Sequence, residues 1–214
     1  MAGAKVAMVL FSLPLCIQSH RVRLTLYEKG ISAEVKIFDA NDPPEDLQEL
    51  NPYGEMPAMV DRDLVIYDAR IIMEYLDERF PHPPLQPTDP VSRARGRMMI
   101  HRIESDWYAL LKDIEDAGDK KKAMKPKKML KESLVSALPL FEAGPFFMNQ
   151  EVSLIDCTLV PLLWRLPSIG VEIPPQAGAI RSYAERMFKR SAFQASLSGL
   201  EQALAPAAIS FSTR

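Results

Sequence analysis

Hydrophobic and polar positions divide the chain into two unlike halves. Val6 to Phe11 is an unbroken apolar run, the pattern of a strand covered on both faces, and Ser19 to Lys29 keeps a helical spacing that Gly30 closes. Glu34 to Phe38 alternates as a second strand. After Asn41-Asp42-Pro43-Pro44, a short helix over Glu45 to Leu50 must stop at Asn51-Pro52, because the residue before proline is driven out of the helical region. Two short apolar runs, Pro57 to Val60 and Leu64 to Tyr67, flank Asp61-Arg62-Asp63 and predict a hairpin. Asp68 then caps a helix whose Ile71, Ile72, Tyr75, Leu76 and Phe80 share one stripe, with Arg70, Glu74, Asp77 and Glu78 outside it. The predicted order is β-α-β-α-β-β-α.

Prolines at 81, 83, 84, 87 and 90 keep helix out of the next stretch, which reads as an extended linker. Beyond it the pattern is helical. Val91, Met98, Met99, Ile103, Trp107, Leu110, Leu111 and Ile114 hold helical spacing, a second run covers Met129 to Phe141, and a lysine-rich turn is predicted between them. Ser153-Leu154-Ile155-Asp156 has the form of a capping box with Asp in the usual Glu position. The Ser153 hydroxyl would accept from the Asp156 amide while the Asp156 carboxylate accepts from the Ser153 amide, with Val152 and Cys157 placed as a hydrophobic staple. The helix behind it, Leu154 to Leu166, is apolar nearly all round, as a helix inside a bundle must be, and Pro161 removes one of its backbone bonds. Ile180, Tyr183, Met187 and Phe188 mark one more helix, and the pattern fades past Leu204. The expected organisation is an α/β domain over 1–80, a proline-rich linker over 81–89 and an all-helical domain over 90–214.

Composition excludes more than it adds. A chain of 214 residues, 47% hydrophobic and 25% charged, is long enough to bury a core in one or two domains and is not disordered, collagenous or a disulfide scaffold. Lys and Arg total 26 against 28 Asp and Glu, a net charge of -2, so no overall positive field draws it to nucleic acid or anionic lipid. Cys16 and Cys157 are the only cysteines and His20, His82 and His101 are scattered, which argues against a metal site and for a reducing compartment. The apolar start behind Lys5 imitates a signal peptide, yet no small-residue cleavage site precedes Gln18-Ser19-His20-Arg21 and no window is long enough to cross a membrane. A cytoplasmic protein is expected.

Met56-Pro57 falls where thioredoxin-like domains keep their cis-proline, and together with the β-α-β-α-β-β-α half and the Ser-x-x-Asp box it makes the chain resemble the glutathione transferase fold. That fold joins a thioredoxin-like α/β N-terminal domain to an all-α C-terminal domain. The chain is still more similar to the bacterial stringent starvation protein A family. The residues that carry this are Ser19-His20-Arg21-Val22-Arg23, the unbroken run from Arg70 to Leu85, His101-Arg102-Ile103-Glu104 with Asp106-Trp107-Tyr108, Ser153 to Cys157, and Pro161 to Pro167. The resemblance implies a non-enzymatic protein that associates with RNA polymerase holoenzyme or its sigma factor and alters transcription in stationary phase and stress. Its surface determinant would be Pro81-His82-Pro83, continued by Pro84. Three prolines would hold this backbone extended with His82 outward, so recognition costs a partner little ordering entropy; stiffening of an interdomain connection is the alternative. One departure is Asp89, which stands where the family pattern leads one to expect an aromatic residue in the same surface region. The fold also implies a two-fold homodimer, or a heterodimer with a related subunit, and DNA reached only through polymerase. No cofactor is implied.

The rival reading is a glutathione or thiol transferase using Cys16, which lies in the loop before the first helix, where a helix N-terminus favours thiolate chemistry. Cys16-Ile17-Gln18-Ser19 reads as a monothiol Cys-x-x-Ser site, though a single cysteine is as often a small buried hydrophobe. In transferases the residue before the cis-proline pairs its backbone with glutathione, and an acidic residue followed by Ser holds the γ-glutamyl carboxylate. Here Met56, Pro57 and Asp68 survive, but Ala69 replaces the hydroxyl, which costs about 1.5–3 kcal/mol in binding. These three residues form a vestigial glutathione subsite on this reading, and Tyr27 lies too far into the first helix to be a catalytic tyrosine. His20 and Arg21 are expected to line the cleft between domains, and His101, Asp106 and Trp107 to serve packing or an interface. Lys120, Lys121, Lys122, Lys125, Lys127, Lys128 and Lys131 are expected to form a solvated turn, with an acidic partner or DNA phosphates as the alternative.

Overall fold

The structure, a computed structural model, describes Met8–Leu204 apart from Asp46. Val6 and Ala7, with which the sequence pattern begins its first strand, and the tail past Leu204 lie outside the described residues. β1 (Val9–Ser12) runs parallel to β2 (Glu34–Ile37), with Val9 opposite Glu34, and antiparallel to β3 (Ala58–Asp61), with Phe11 opposite Ala58. β3 returns as β4 (Leu64–Tyr67) through a turn in which Arg62 takes φ +62°. The sheet order is therefore β2-β1-β3-β4, with β1 inside it, and Leu10 and Phe11 are buried as the apolar run predicts. α1 (Ile17–Glu28) crosses from β1 to β2, α2 (Leu47–Leu50) precedes β3, and α3 (Ala69–Arg79) follows β4. This mixed sheet with its helices is a thioredoxin-like domain.

The chain divides into two units. The first holds the described residues up to Pro84 together with Ser191–Gln202, and the second holds Leu85–Arg190 with Ala203 and Leu204. The sequence pattern assigns 191–202 to the helical half, whereas the structure packs this segment on α1. The reason lies in α1 itself: Ser19 through Leu26 are all buried, including His20, Arg21 and Arg23, and such a helix needs cover and counter-charge on more than one side.

The second unit is helical: α4 (Pro90–Arg102), α5 (Ala109–Glu115), α6 (Lys120–Ser136), α7 (Leu138–Glu142), α8 (Leu154–Arg165) and α9 (Gly178–Phe188). Two features differ from the sequence reading. A π-helical turn over Ile103–Tyr108 interrupts the run from Val91 to Ile114 between α4 and α5. The lysine-rich turn is helix, since Asp119 caps α6 by accepting from Lys122 N at 2.9 Å and lysine is a good helix former. α10 (Ser191–Ser196) and α11 (Gly199–Gln202) complete the first unit. Every residue of α8 is buried, and Phe147 packs edge-on against Phe141 at 4.8 Å in the core of the second unit. No described helix is long and apolar enough to cross a membrane.

Candidate functional site

Cys16 occupies the N-cap of α1, where its Sγ accepts from Ser19 N at 3.5 Å and its side chain is half-buried. Cys157 is buried, and neither cysteine is in a disulfide. The Met56–Pro57 peptide is cis, Pro57 is buried and Met56 half-buried. Asp68, at φ +70°, caps α3: its Oδ1 accepts from Arg70 N at 2.8 Å and Ile71 N at 3.2 Å, so this carboxylate answers the first amides of its own helix. Beside Met56 the first unit holds a cavity of about 440 Å³ walled by Leu13, Phe38, Leu47, Asn51 and Tyr53, and among the described residues none of its lining side chains carries a charge.

His20 and Arg21 are buried rather than open to solvent. His20 Nδ1 lies 3.3 Å from Glu201 Oε1, its Nε2 3.1 Å from Ser196 Oγ, and its ring 5.5 Å from that of Phe193. Arg23 NH2 meets Glu201 Oε2 at 2.5 Å, its Nε donates to Ser196 O at 2.8 Å, and its NH1 to Ser12 Oγ. Glu201 also closes a capping box, its Oε2 accepting from Ser198 N at 2.9 Å while its own amide donates to Ser198 Oγ at 3.1 Å. Ser198-Gly199-Leu200-Glu201 is a legible Ser-x-x-Glu signal that the sequence reading passes over.

Pro81, His82, Pro83 and Pro84 are all exposed. Bends at His82 and Pro83, and a cis His82–Pro83 peptide, replace the uniformly extended run expected from the prolines. The run is tied down from beneath. Lys29, buried at the end of α1, donates from Nζ to Pro83 O at 2.7 Å and pairs with Asp77 Oδ1 on α3 at 2.7 Å. Nothing in the sequence pattern marks Lys29, because a lysine at a helix end is ordinarily solvated. Nearby, Tyr75 OH donates to Asp61 Oδ2 at 2.6 Å, and Tyr75 is pushed above the usual tyrosine range by burial and then by the adjacent carboxylate.

The Ser153 capping box is present in the second unit. Asp156 Oδ2 accepts from Ser153 N at 2.8 Å and Ser153 Oγ at 2.9 Å, and Oδ1 accepts from Phe147 N at 2.9 Å and Tyr183 OH at 2.7 Å. Burial pushes this carboxyl above the usual aspartate range against the pull of those four bonds, and Tyr183 is raised well above its ordinary value by burial and by Asp156. Asp89 caps α4, accepting from Ser92 N at 2.9 Å, and that bond holds its carboxyl below the usual range. His101 and Asp106 are exposed, Asp106 pairing with Arg102 at 3.1 Å, so packing falls to Trp107 alone, whose Nε1 donates to Ser133 Oγ at 2.8 Å. Lys121, Lys122, Lys125 and Lys128 lie exposed along α6. Among the described residues no group of three or more His, Cys, Asp or Glu is placed to hold a metal ion.

A thioredoxin-like domain with a cis-proline, joined to a helical unit built on a Ser-x-x-Asp capping box, defines a protein of the glutathione transferase fold class. Residues 15–79 match the family described as glutathione S-transferase, N-terminal domain. The structure resembles glutathione transferase Omega 3C from Trametes versicolor, with a TM-score of 0.81 at 23% identity over 91% of this chain and 90% of that one. Within that class, a stringent starvation protein A homolog of Coxiella burnetii is 48% identical over 198 residues, 92% of this chain and 94% of that protein. One from Haemophilus influenzae is 50% identical over 187 residues, 87% of this chain and 88% of that protein. The chain belongs to the stringent starvation protein A family.

Proposed function

We propose that this protein is a non-enzymatic regulator of stress transcription that docks on RNA polymerase holoenzyme, or on its sigma factor, through Pro81, His82, Pro83 and Pro84. One observation carries the reading beyond family membership: the run presents exposed side chains while its Pro83 carbonyl is held by the buried Lys29–Asp77 pair. An epitope fixed before encounter loses little conformational entropy on binding. The protein acts in the cytoplasm as a homodimer or with a related subunit, without a cofactor, and reaches DNA through polymerase.

A transferase reading keeps one favourable observation, Cys16 half-buried at the head of α1. Against it, Ala69 offers no hydroxyl, the Asp68 carboxylate is engaged by its own helix, and among the described residues the cavity beside Met56 is lined by no cation for the two carboxylates of glutathione. Met56, Pro57 and Asp68 are on this view a remnant of a glutathione subsite. The test is a titration of the full chain against core polymerase, free sigma and holoenzyme at two salt concentrations, repeated with Pro81, His82 and Pro83 changed to Ala. Saturable binding that the triple change removes while the fold melts as before is the expected result. Absence of binding, with glutathione or thiol turnover that Cys16→Ser abolishes, would transfer the function to the head of α1.

A further inference from the structure

The proline run leads in sequence directly into Leu85, Gln86 and Pro87, which with α4 and the start of α8 enclose a cavity of about 230 Å³ in the second unit. An apolar cavity of about 150 Å³ already admits a benzene ring, so this one has room for at least one large side chain. Met99, Ile100, Met148 and Leu154 make part of its wall apolar, and methionine adapts to different partners. The charged side chains of its described lining are both cationic. Arg93 and Arg95 contribute, and α4 carries Arg93, Arg95, Arg97 and Arg102 without a single acidic residue. Arg93 uses Nε on Pro87 O at 3.1 Å. Arg95 acts on the Asp89 carboxyl, which already caps α4.

Gly96 supplies an independent observation. It sits in the interior of a helix of 13 residues, where glycine costs about 0.5–1 kcal/mol relative to alanine. It needs no positive φ, and a Cβ built on it would meet nothing within 4 Å. No neighbour inside the protein accounts for the missing side chain; what its absence leaves open is the cavity it lines.

We infer that this cavity receives an acidic and an apolar side chain, adjacent in one segment of the docking partner. The carboxylate meets the guanidinium groups of Arg93 and Arg95, and the apolar side chain fills the recess beside Gly96, Met99 and Met148. A bare phosphate would satisfy the arginines but leave the methionine wall unused, so a peptide is the better fit. This deepens the docking reading and rests on it.

The test has two arms, both on the full chain. In the first, free of polymerase, the 15N-labelled protein is titrated with N-acetyl-Leu-Glu-Leu amide, with its Gln counterpart, and with inorganic pyrophosphate. The Glu peptide is expected to move the Gly96 and Met99 amide resonances saturably in the millimolar range, the Gln peptide to bind about tenfold more weakly for loss of a charge-assisted contact, and pyrophosphate, which reaches the arginines alone, to bind more weakly than the Glu peptide. In the second arm Gly96→Leu, and Arg93→Gln with Arg95→Gln, are titrated against holoenzyme. Gly96→Leu should melt no lower than the parent, because leucine is the better helix former and meets open space, yet lose the peptide and bind holoenzyme about tenfold more weakly or worse. Equal binding of the Gln peptide, tighter binding by pyrophosphate than by the Glu peptide, or a Gly96→Leu protein that binds holoenzyme as the parent does would each overturn the inference. A parent protein that takes the peptide but ignores holoenzyme would sink the docking reading and leave the cavity as a peptide site.

Discussion

Replacing Lys29 by Met removes the charge beneath the proline run and keeps most of the stem. Lys29 Nζ is 2.7 Å from Asp77 Oδ1, with side chains 0% and 7% exposed. The substitution therefore takes the facing ammonium from a desolvated carboxylate on α3, and truncating one member of a buried pair costs about 3–5 kcal/mol, against about 1 or less for an exposed pair. Adding Asp77→Leu removes that carboxylate too, and because apolar replacement of a whole buried pair is often neutral or better, the double variant should recover most of the loss. The Pro83 carbonyl regains its donor in neither variant. Stability and docking should thus separate. Urea denaturation places the single variant far below the parent and the double variant near it, while holoenzyme titration finds both weakened. A cost below about 1 kcal/mol for Lys29→Met would mean the pair behaves as a solvated one. A double variant as unstable as the single would deny the coupling, and a double variant that docks like the parent would deny that the Pro83 bond matters.

Two further variants probe the buried carboxylates. Asp156→Asn turns an amide toward either the Phe147 or the Ser153 backbone N–H, and should cost about 3 kcal/mol at neutral pH by urea denaturation. A carboxyl harder to ionise in the fold than at its ordinary value of 3.8 binds more protons in the native state, so Asp156 contributes most below its unfolded pKa and its contribution fades as pH rises through the folded one; the Asn variant should lose that slope. Unchanged pH dependence in Asp156→Asn would show that this carboxyl is not the titrating group. Glu201→Leu takes the carboxylate from buried His20 and Arg23, and should cost about 3–5 kcal/mol and open Ser191–Gln202 to limited proteolysis; protection equal to the parent's would refute it.

Periodicity made the first seven elements and their order legible, because β1, β3 and α3 each bury a continuous or regularly spaced set of apolar residues, while β4, none of whose residues is fully buried, was marked by its apolar run after Asp61-Arg62-Asp63. It failed where charge is buried. His20 and Arg21 were expected to line a cleft, yet they and Arg23 are buried, and only the Ser198–Glu201 box hinted at the distant carboxylate that His20 and Arg23 meet. Lys120 to Lys131 misled in the opposite sense: an uncapped lysine run is a solvated turn, but Asp119 supplies the cap and Ala123, Leu130 and Leu134 a narrow buried stripe. Of the candidate docking surface, the proline run stood out in the sequence. Its anchor did not, because Lys29 and Asp77 are 48 residues apart and meet only once α1 and α3 have packed.

The segment Ser191–Gln202 has a temporal meaning as well as a spatial one. A ribosome makes the whole sheet, α1 and α3 more than a hundred residues before it makes Glu201, so during synthesis the first unit exists without the carboxylate that its buried histidine and arginine face. Domains otherwise tend to complete themselves in the order they are made. Here the N-terminal one waits for a segment made after the helices of the other unit, and a fragment ending at Pro84 would carry every strand of the sheet and still lack α10 and α11, the part that closes it.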